Sequence, residues 1–126
     1  MVPGNTDFLV TGPLSLAEQR FPGRRLHVHN AAITVIATTP EEMKAIANRT
    51  AELCMMAKGP VSVLIPMGGF SAFDSPGGPL ESPEIRDVFR QTIRAELPEG
   101  IECVESPHHI NDPEFAEVIL ASIKRL

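Results

Sequence analysis

From residue 32 onward the chain alternates short apolar runs with longer amphipathic stretches. AITVIA, residues 32–37, is apolar and β-branched, the pattern of a strand covered on both faces. TPEE follows it, with Thr39 at an N-cap, Pro40 at the first helical position and Glu42 three residues past the cap. That is a capping box with proline in its favoured place. Met43, Ile46, Ala47, Leu53, Met56 and Ala57 then recur near a 3.6-residue period, and Gly59 ends the predicted helix. Residues 61–65 predict a second buried strand. Ser82 and Pro83 open a helix whose stripe is Ile85, Val88, Phe89, Thr92 and Ile93, and residues 97–100 break it. Residues 101–105 predict a third strand. Asn111 or Asp112, followed by Pro113, opens a last helix with Phe115, Val118, Ile119, Ser122, Ile123 and Leu126 on its apolar side.

Strand and helix alternating over short connections imply a parallel sheet with helical crossovers. The expected fold class is α/β, a Rossmann-like layered fold with a mainly parallel sheet flanked by helices. Ligands of such sheets bind outside the carboxyl ends of the strands. Two irregular segments leave those ends, residues 66–82 and 106–112, and so share one edge. The first third is less periodic. Residues 6–13 predict a short strand running into a turn. Residues 15–21 predict a short helix capped by Ser15. RLHVHN, residues 25–30, alternates Leu26 and Val28 with His27 and His29, as a half-exposed strand does.

The chain's 126 residues suit one domain, and such a domain buries about two thirds of its unfolded surface. A net charge of −5 argues against a broad nucleic-acid face. Arg24 and Arg25 beside Gly23 read as solvated turn residues. No apolar run reaches the length of a membrane span, and the first residues lack a signal-peptide pattern. A cytoplasmic protein without a membrane partner is therefore expected. Cys54 and Cys103 form no CxxC pair and read as buried free thiols.

The segment IPMGGFSAFDSPGGP carries the candidate chemistry. Gly68 and Gly69 directly after a strand allow positive φ and a close backbone approach. Amides in such a turn can cradle an anion. No GKS or GKT follows, so the loop is not a P-loop, and it holds neither GxGxxG nor GxSxG. Long loops in compact domains are usually functional. Ser71 adds a hydroxyl and Asp74 a carboxylate suited to ligand contact or proton transfer. Across the same edge, SPHHIND supplies His109 and Asn111, and His29 with Asn30 form a third polar group. The histidines lack HExxH or HxxxH spacing on a helix, so no metal site is expected.

VPGNTDF, FPGRRLHVHN, ITVIATTPEE, GPVSVLIPMGGFSAFDSPGGP and HINDPEFAE, in this order, resemble the family related to the tomato mosaic virus resistance protein. The resemblance spans nearly the whole chain. It implies the last part of the second lobe of a two-lobed α/β architecture whose first lobe binds ATP. The nucleotide site of that first lobe has no counterpart here, so no cofactor is implied for this chain.

Three functional readings follow. The leading one is a single α/β domain that binds a small polar or anionic molecule at the carboxyl ends of its strands. Gly68, Gly69, Ser71, His29, Asn30 and Asn111 would hold it, and Asp74 and His109 would be available as catalytic groups. The second is a hydrolase- or lyase-type enzyme using Asp74 and His109, with or without a metal. The third is an assembly module that docks a separate first lobe. A homo-oligomer or a partner chain carrying that lobe is expected in each case, because a partial sheet leaves an open edge.

Overall fold

A computed structural model describes residues 7–126. Thr6 and the start of the VPGNTDF motif lie outside the described residues. The order of elements is β1 (Phe8–Thr11), α1 (Leu14–Arg20), β2 (Leu26–Asn30), β3 (Ile33–Ala37), α2 (Pro40–Met55), β4 (Ser62–Pro66), a short 3-10 turn (Ala72–Asp74), α3 (Pro83–Glu96), β5 (Glu102–Ser106) and α4 (Pro113–Arg125).

The strands form two sheets. β1, β3 and β2 make an antiparallel sheet with β3 in the centre, and β4 pairs with β5 in parallel. The domain is thus mixed α/β, and the mainly parallel Rossmann-like sheet expected from the alternation does not form. The reason lies in the connection before β3. Asn30 and Ile33 are joined by Ala31 and Ala32 alone, and so short a link can only turn the chain back on itself, because a parallel pairing needs a crossover of a dozen residues or more. With β1 on its other edge, β3 has no edge left for β4.

Around the parallel pair the local layering is that of an α/β sandwich. Met43 and Ala51 of α2, Ile65 of β4, Phe70, and Ile85 and Ile93 of α3 form one buried cluster, with Val63 and Cys103 packed against it. Successive strand residues face opposite ways, so Ser62 and Glu102 point away from this core. On that opposite face Ser122 of α4 donates to Ser62 Oγ at 2.9 Å and to Glu102 Oε2 at 3.0 Å. Cys54 and Cys103 are free and half-buried, and burial pushes both thiols up from their ordinary pKa.

Residues 66–82 join the two sheets. The parallel ladder continues past its last strand residues: Met67 N donates to Ser106 O (2.7 Å), Gly68 N to His108 O (3.0 Å) and Ile110 N to Gly69 O (3.0 Å). Farther along, Phe73 meets the antiparallel sheet, its ring 5.0 Å from Phe8, 5.5 Å from His27 and 5.9 Å from His29. Leu26 and His27 are half-buried while Val28, His29 and Asn30 are exposed, so β2 is the half-exposed strand that its alternation implies, with its histidine rings beside Phe73. Arg25 donates to the carbonyls of Leu80 and Glu81, and Arg24 pairs with Glu42 of the capping box at 2.6 Å. Both arginines tie segments together, where the sequence reading leaves them solvated.

The two glycines owe their identity to this zipper. A Cβ on Gly68 would stand 2.5 Å from His109 N and 2.7 Å from Pro107 O. Gly69 has φ +147°, and a Cβ there would meet Asp74 O at 2.5 Å. We expect Gly68→Ala to cost about 1–3 kcal/mol through overpacking, with Gly69→Ala costing more because its backbone is also strained. Urea denaturation checks both, and wild-type stability in either variant contradicts the close approach.

Candidate functional site

The carboxyl edge of β4–β5 is built from residues 66–82 and 106–112, with Asp7 and β2 reaching in from the antiparallel sheet. Of the residues singled out from the sequence, Gly68, Gly69, Ser71, Asp74, His109 and Asn111 are brought together there. His29 reaches the group only through its contact with Phe73. Asn30 does not join it: its Oδ1 accepts from Ala32 N at 2.9 Å and shapes the β2–β3 hairpin.

Asp74 is 1% exposed, and Arg86 of α3, its ion-pair partner, is 6% exposed. Asp74 Oδ2 accepts from Phe70 N at 2.9 Å, and Oδ1 accepts from Ser82 N at 2.8 Å as well as from the guanidinium. A carboxylate so occupied closes its own loop and holds it on α3. His109 is equally committed. Asn111 N donates to its Nδ1 at 3.1 Å, so Nε2 carries the hydrogen and donates to Ser71 O at 2.8 Å. The Ser71 hydroxyl donates elsewhere, to Asp7 Oδ2 at 2.5 Å. The serine, histidine and aspartates therefore lie within reach of one another without forming the relay that activates a nucleophile.

The amides tell the same story. Met67, Gly68 and Gly69 donate to Ser106, His108 and Pro66, and Phe70 donates to Asp74. The amides of residues 67–70 are thus spent on the chain itself, and that stretch offers no anion cradle. What comes close to Gly68 is the backbone of residues 107–109, and what comes close to Gly69 is the His109 ring and the Asp74 carbonyl.

Asp7 was not singled out among the site candidates. It is 5% exposed, its Oδ2 is held by Ser71, and its Oδ1 has no partner among the described residues. Burial raises its pKa above the ordinary 3.8, with the Ser71 hydrogen bond opposing and the nearby Asp74 charge adding to the rise. A buried carboxyl with an unpaired oxygen is costly unless something binds it. The only sequence signal for it is its place in VPGNTDF. A second group appears at the start of α4: ligand atoms of His108, Asp112 and Glu114 lie within 4.8 Å of one another.

The model of the uncharacterised protein family (UPF0261) C-terminal domain matches residues 1–126. The chain belongs to this family. A UPF0261 protein of Brucella melitensis biotype 1 is 33% identical over 125 residues, which cover 99% of this chain and 30% of the relative. A UPF0261 protein of Clostridium tetani is 32% identical over 130 residues, 100% of this chain and 31% of the relative. The ToMV resistance protein Tm-1(GCR237) of Solanum lycopersicum is 32% identical over 121 residues, 94% of this chain and 16% of that protein. The chain thus spans less than a third of the UPF0261 relatives it matches, and it corresponds to their C-terminal part.

Within this UPF0261 domain the two aspartates behave oppositely. Asp74→Ala leaves Arg86 buried and unpaired, which is expected to cost about 3–5 kcal/mol in urea denaturation. Asp7→Asn removes a charge that burial disfavours. Because the folded pKa of Asp7 lies above its unfolded value, its penalty is present at neutral pH and vanishes as pH falls through that raised pKa. Asp7→Asn is therefore expected to raise the melting temperature at pH 7, with the gain shrinking on acidification. A gain that is absent at pH 7, or constant with pH, contradicts the burial of an ionisable Asp7.

Proposed function

We propose that this domain is an assembly module, the C-terminal α/β piece that docks the remainder of the longer UPF0261 chains. The observation that carries the reading is the parallel β4–β5 pair, whose outer edges have no strand partner among the described residues. Parallel sheets are usually larger and covered on both faces, and an unpaired edge recruits a further strand.

Two features beside that sheet support the same reading. On α4, Ala116, Leu120 and Ile123 follow one another at i, i+4 and i+7, the spacing of a helical docking stripe. Leu120 is 57% exposed and Ile123 56% exposed. At the amino ends of β4 and β5 a groove of about 800 Å³ is lined by Met55, Pro60, Ile101 and Leu126 among others. The occupant is the N-terminal remainder of the family architecture, because more than two thirds of each UPF0261 relative lies outside the matched region. No helix of the described residues is long and apolar enough to cross a membrane. The net charge of −5 is in keeping with a protein partner in the cytoplasm rather than a nucleic acid.

A second reading, binding of a small polar molecule at the carboxyl edge, is favoured by Asp7 Oδ1, which has no partner among the described residues and lies beside Ser71. With the amides of residues 67–70 spent, a ligand at that carboxylate would have to bring a hydrogen-bond donor. Catalysis by Asp74 and His109 would require breaking the bonds that shape the loop.

Size-exclusion chromatography with light scattering separates the outcomes. The 13.7 kDa chain, mixed with the N-terminal remainder of a UPF0261 relative as a separate polypeptide, is expected to co-elute with it. Leu120→Glu with Ile123→Glu should abolish co-elution while leaving the helical circular dichroism unchanged. A chain that stays monomeric and never co-elutes overturns the proposal, as does a self-dimer that excludes the remainder.

A further inference from the structure

We propose that His108, Asp112 and Glu114 form a divalent transition-metal site at the carboxyl edge of β4–β5. This inference does not rest on the docking proposal: His108, Asp112 and Glu114 belong neither to the Ala116, Leu120 and Ile123 stripe nor to the groove at the amino ends of the strands. One imidazole nitrogen and two carboxylate oxygens lie within 4.8 Å of one another. Ligands of a single ion at about 2.1 Å stand up to about 4.2 Å apart. The three atoms thus stand at or slightly beyond ligand spacing, and Glu114, being exposed, is the side chain with room to move toward the other two.

The local structure holds the other two ligands in place. The carbonyl of His108 accepts from Gly68 N at 3.0 Å, a bond that depends on Gly68 having no Cβ. Asp112 Oδ2 accepts from His109 N at 2.7 Å, which leaves Oδ1 for an ion. Among the described residues the His108 ring and the Glu114 carboxylate have no hydrogen-bond or ion-pair partner, and no Lys or Arg pairs with Asp112. Two carboxylates and an imidazole thus converge without a counter-charge. Sequence spacing gives no warning, because His108 and Asp112 are four apart across a loop–helix junction, not along a helix.

The donor set narrows the cation. One nitrogen and two carboxylate oxygens suit zinc, manganese or ferrous iron, whereas calcium and magnesium take oxygen sets. Three protein ligands leave coordination positions for water or for a ligand oxygen, as catalytic sites do and closed structural sites do not.

Isothermal titration calorimetry of the intact chain with zinc, manganese and magnesium chlorides tests the site. Saturable one-to-one binding of zinc and manganese, with magnesium much weaker, is expected. His108→Ala, Asp112→Asn and Glu114→Gln should each weaken zinc binding on the order of tenfold or more. Asp112→Asn keeps an acceptor for His109 N, and Glu114 is exposed, so neither change threatens the fold, and circular dichroism checks this. Absence of saturable binding up to millimolar zinc overturns the proposal. So does binding that all three variants leave unchanged, since the ion would then sit elsewhere.

Discussion

The buried ion pair between Asp74 and Arg86 is the constraint on which the rest of the carboxyl edge depends. Both side chains are withdrawn from water. Desolvating two charges is tolerable only when the geometry and the extra hydrogen bonds compensate. Phe70 N, Ser82 N and the guanidinium provide that compensation for Asp74. In doing so they fix both ends of the glycine-rich segment onto α3. With the segment held there, Phe73 projects toward β1 and β2, and Ser71 reaches Asp7. One ion pair in the parallel half thereby positions the contacts that attach the antiparallel half.

The loop's polar groups are consumed in this architecture. The amides of residues 67–70 bind the neighbouring loop, Pro66 or Asp74, and both nitrogens of His109 bind backbone, so this stretch is a hydrogen-bonded wall. Among the described residues, buried side-chain atoms without a partner include Asp7 Oδ1 and also Thr34 Oγ1, Asn48 Oδ1 and Arg86 Nε. Unsatisfied polar atoms in an otherwise satisfied structure are where ligands and partners belong. The same logic applies at larger scale to the unpaired edges of β4 and β5.

Much of the architecture is legible in the sequence, and the misses have definite causes. The capping box at Thr39 and Glu42 forms in full, because it involves residues three apart. The shared edge of the two irregular loops is likewise correct, since parallel register follows from strand, helix, strand over β4, α3 and β5. The misplacement of β3 comes from weighing the helix after it above the two-residue link before it. The contact of His27 and His29 with Phe73 is not readable locally, because that ring lies more than forty residues away in the chain. Asp7 gave no local signal for the same reason: its partner Ser71 is distant in sequence.

Sequence by itself determined most elements of this protein, the capping box at Thr39 and its membership of a family whose members are longer, whereas Ser15 lies inside α1 rather than at its cap. These rest on neighbouring residues or on whole-chain similarity. Only the tertiary structure decided which strands pair and what the glycines are for. Gly68 and Gly69 announce a close approach in any reading, but whether a ligand or the chain itself approaches depends on residues 107–109 arriving beside them. Roles such as that of Asp74, legible as a carboxylate but not as half of an ion pair, are set by a partner that folding alone brings near.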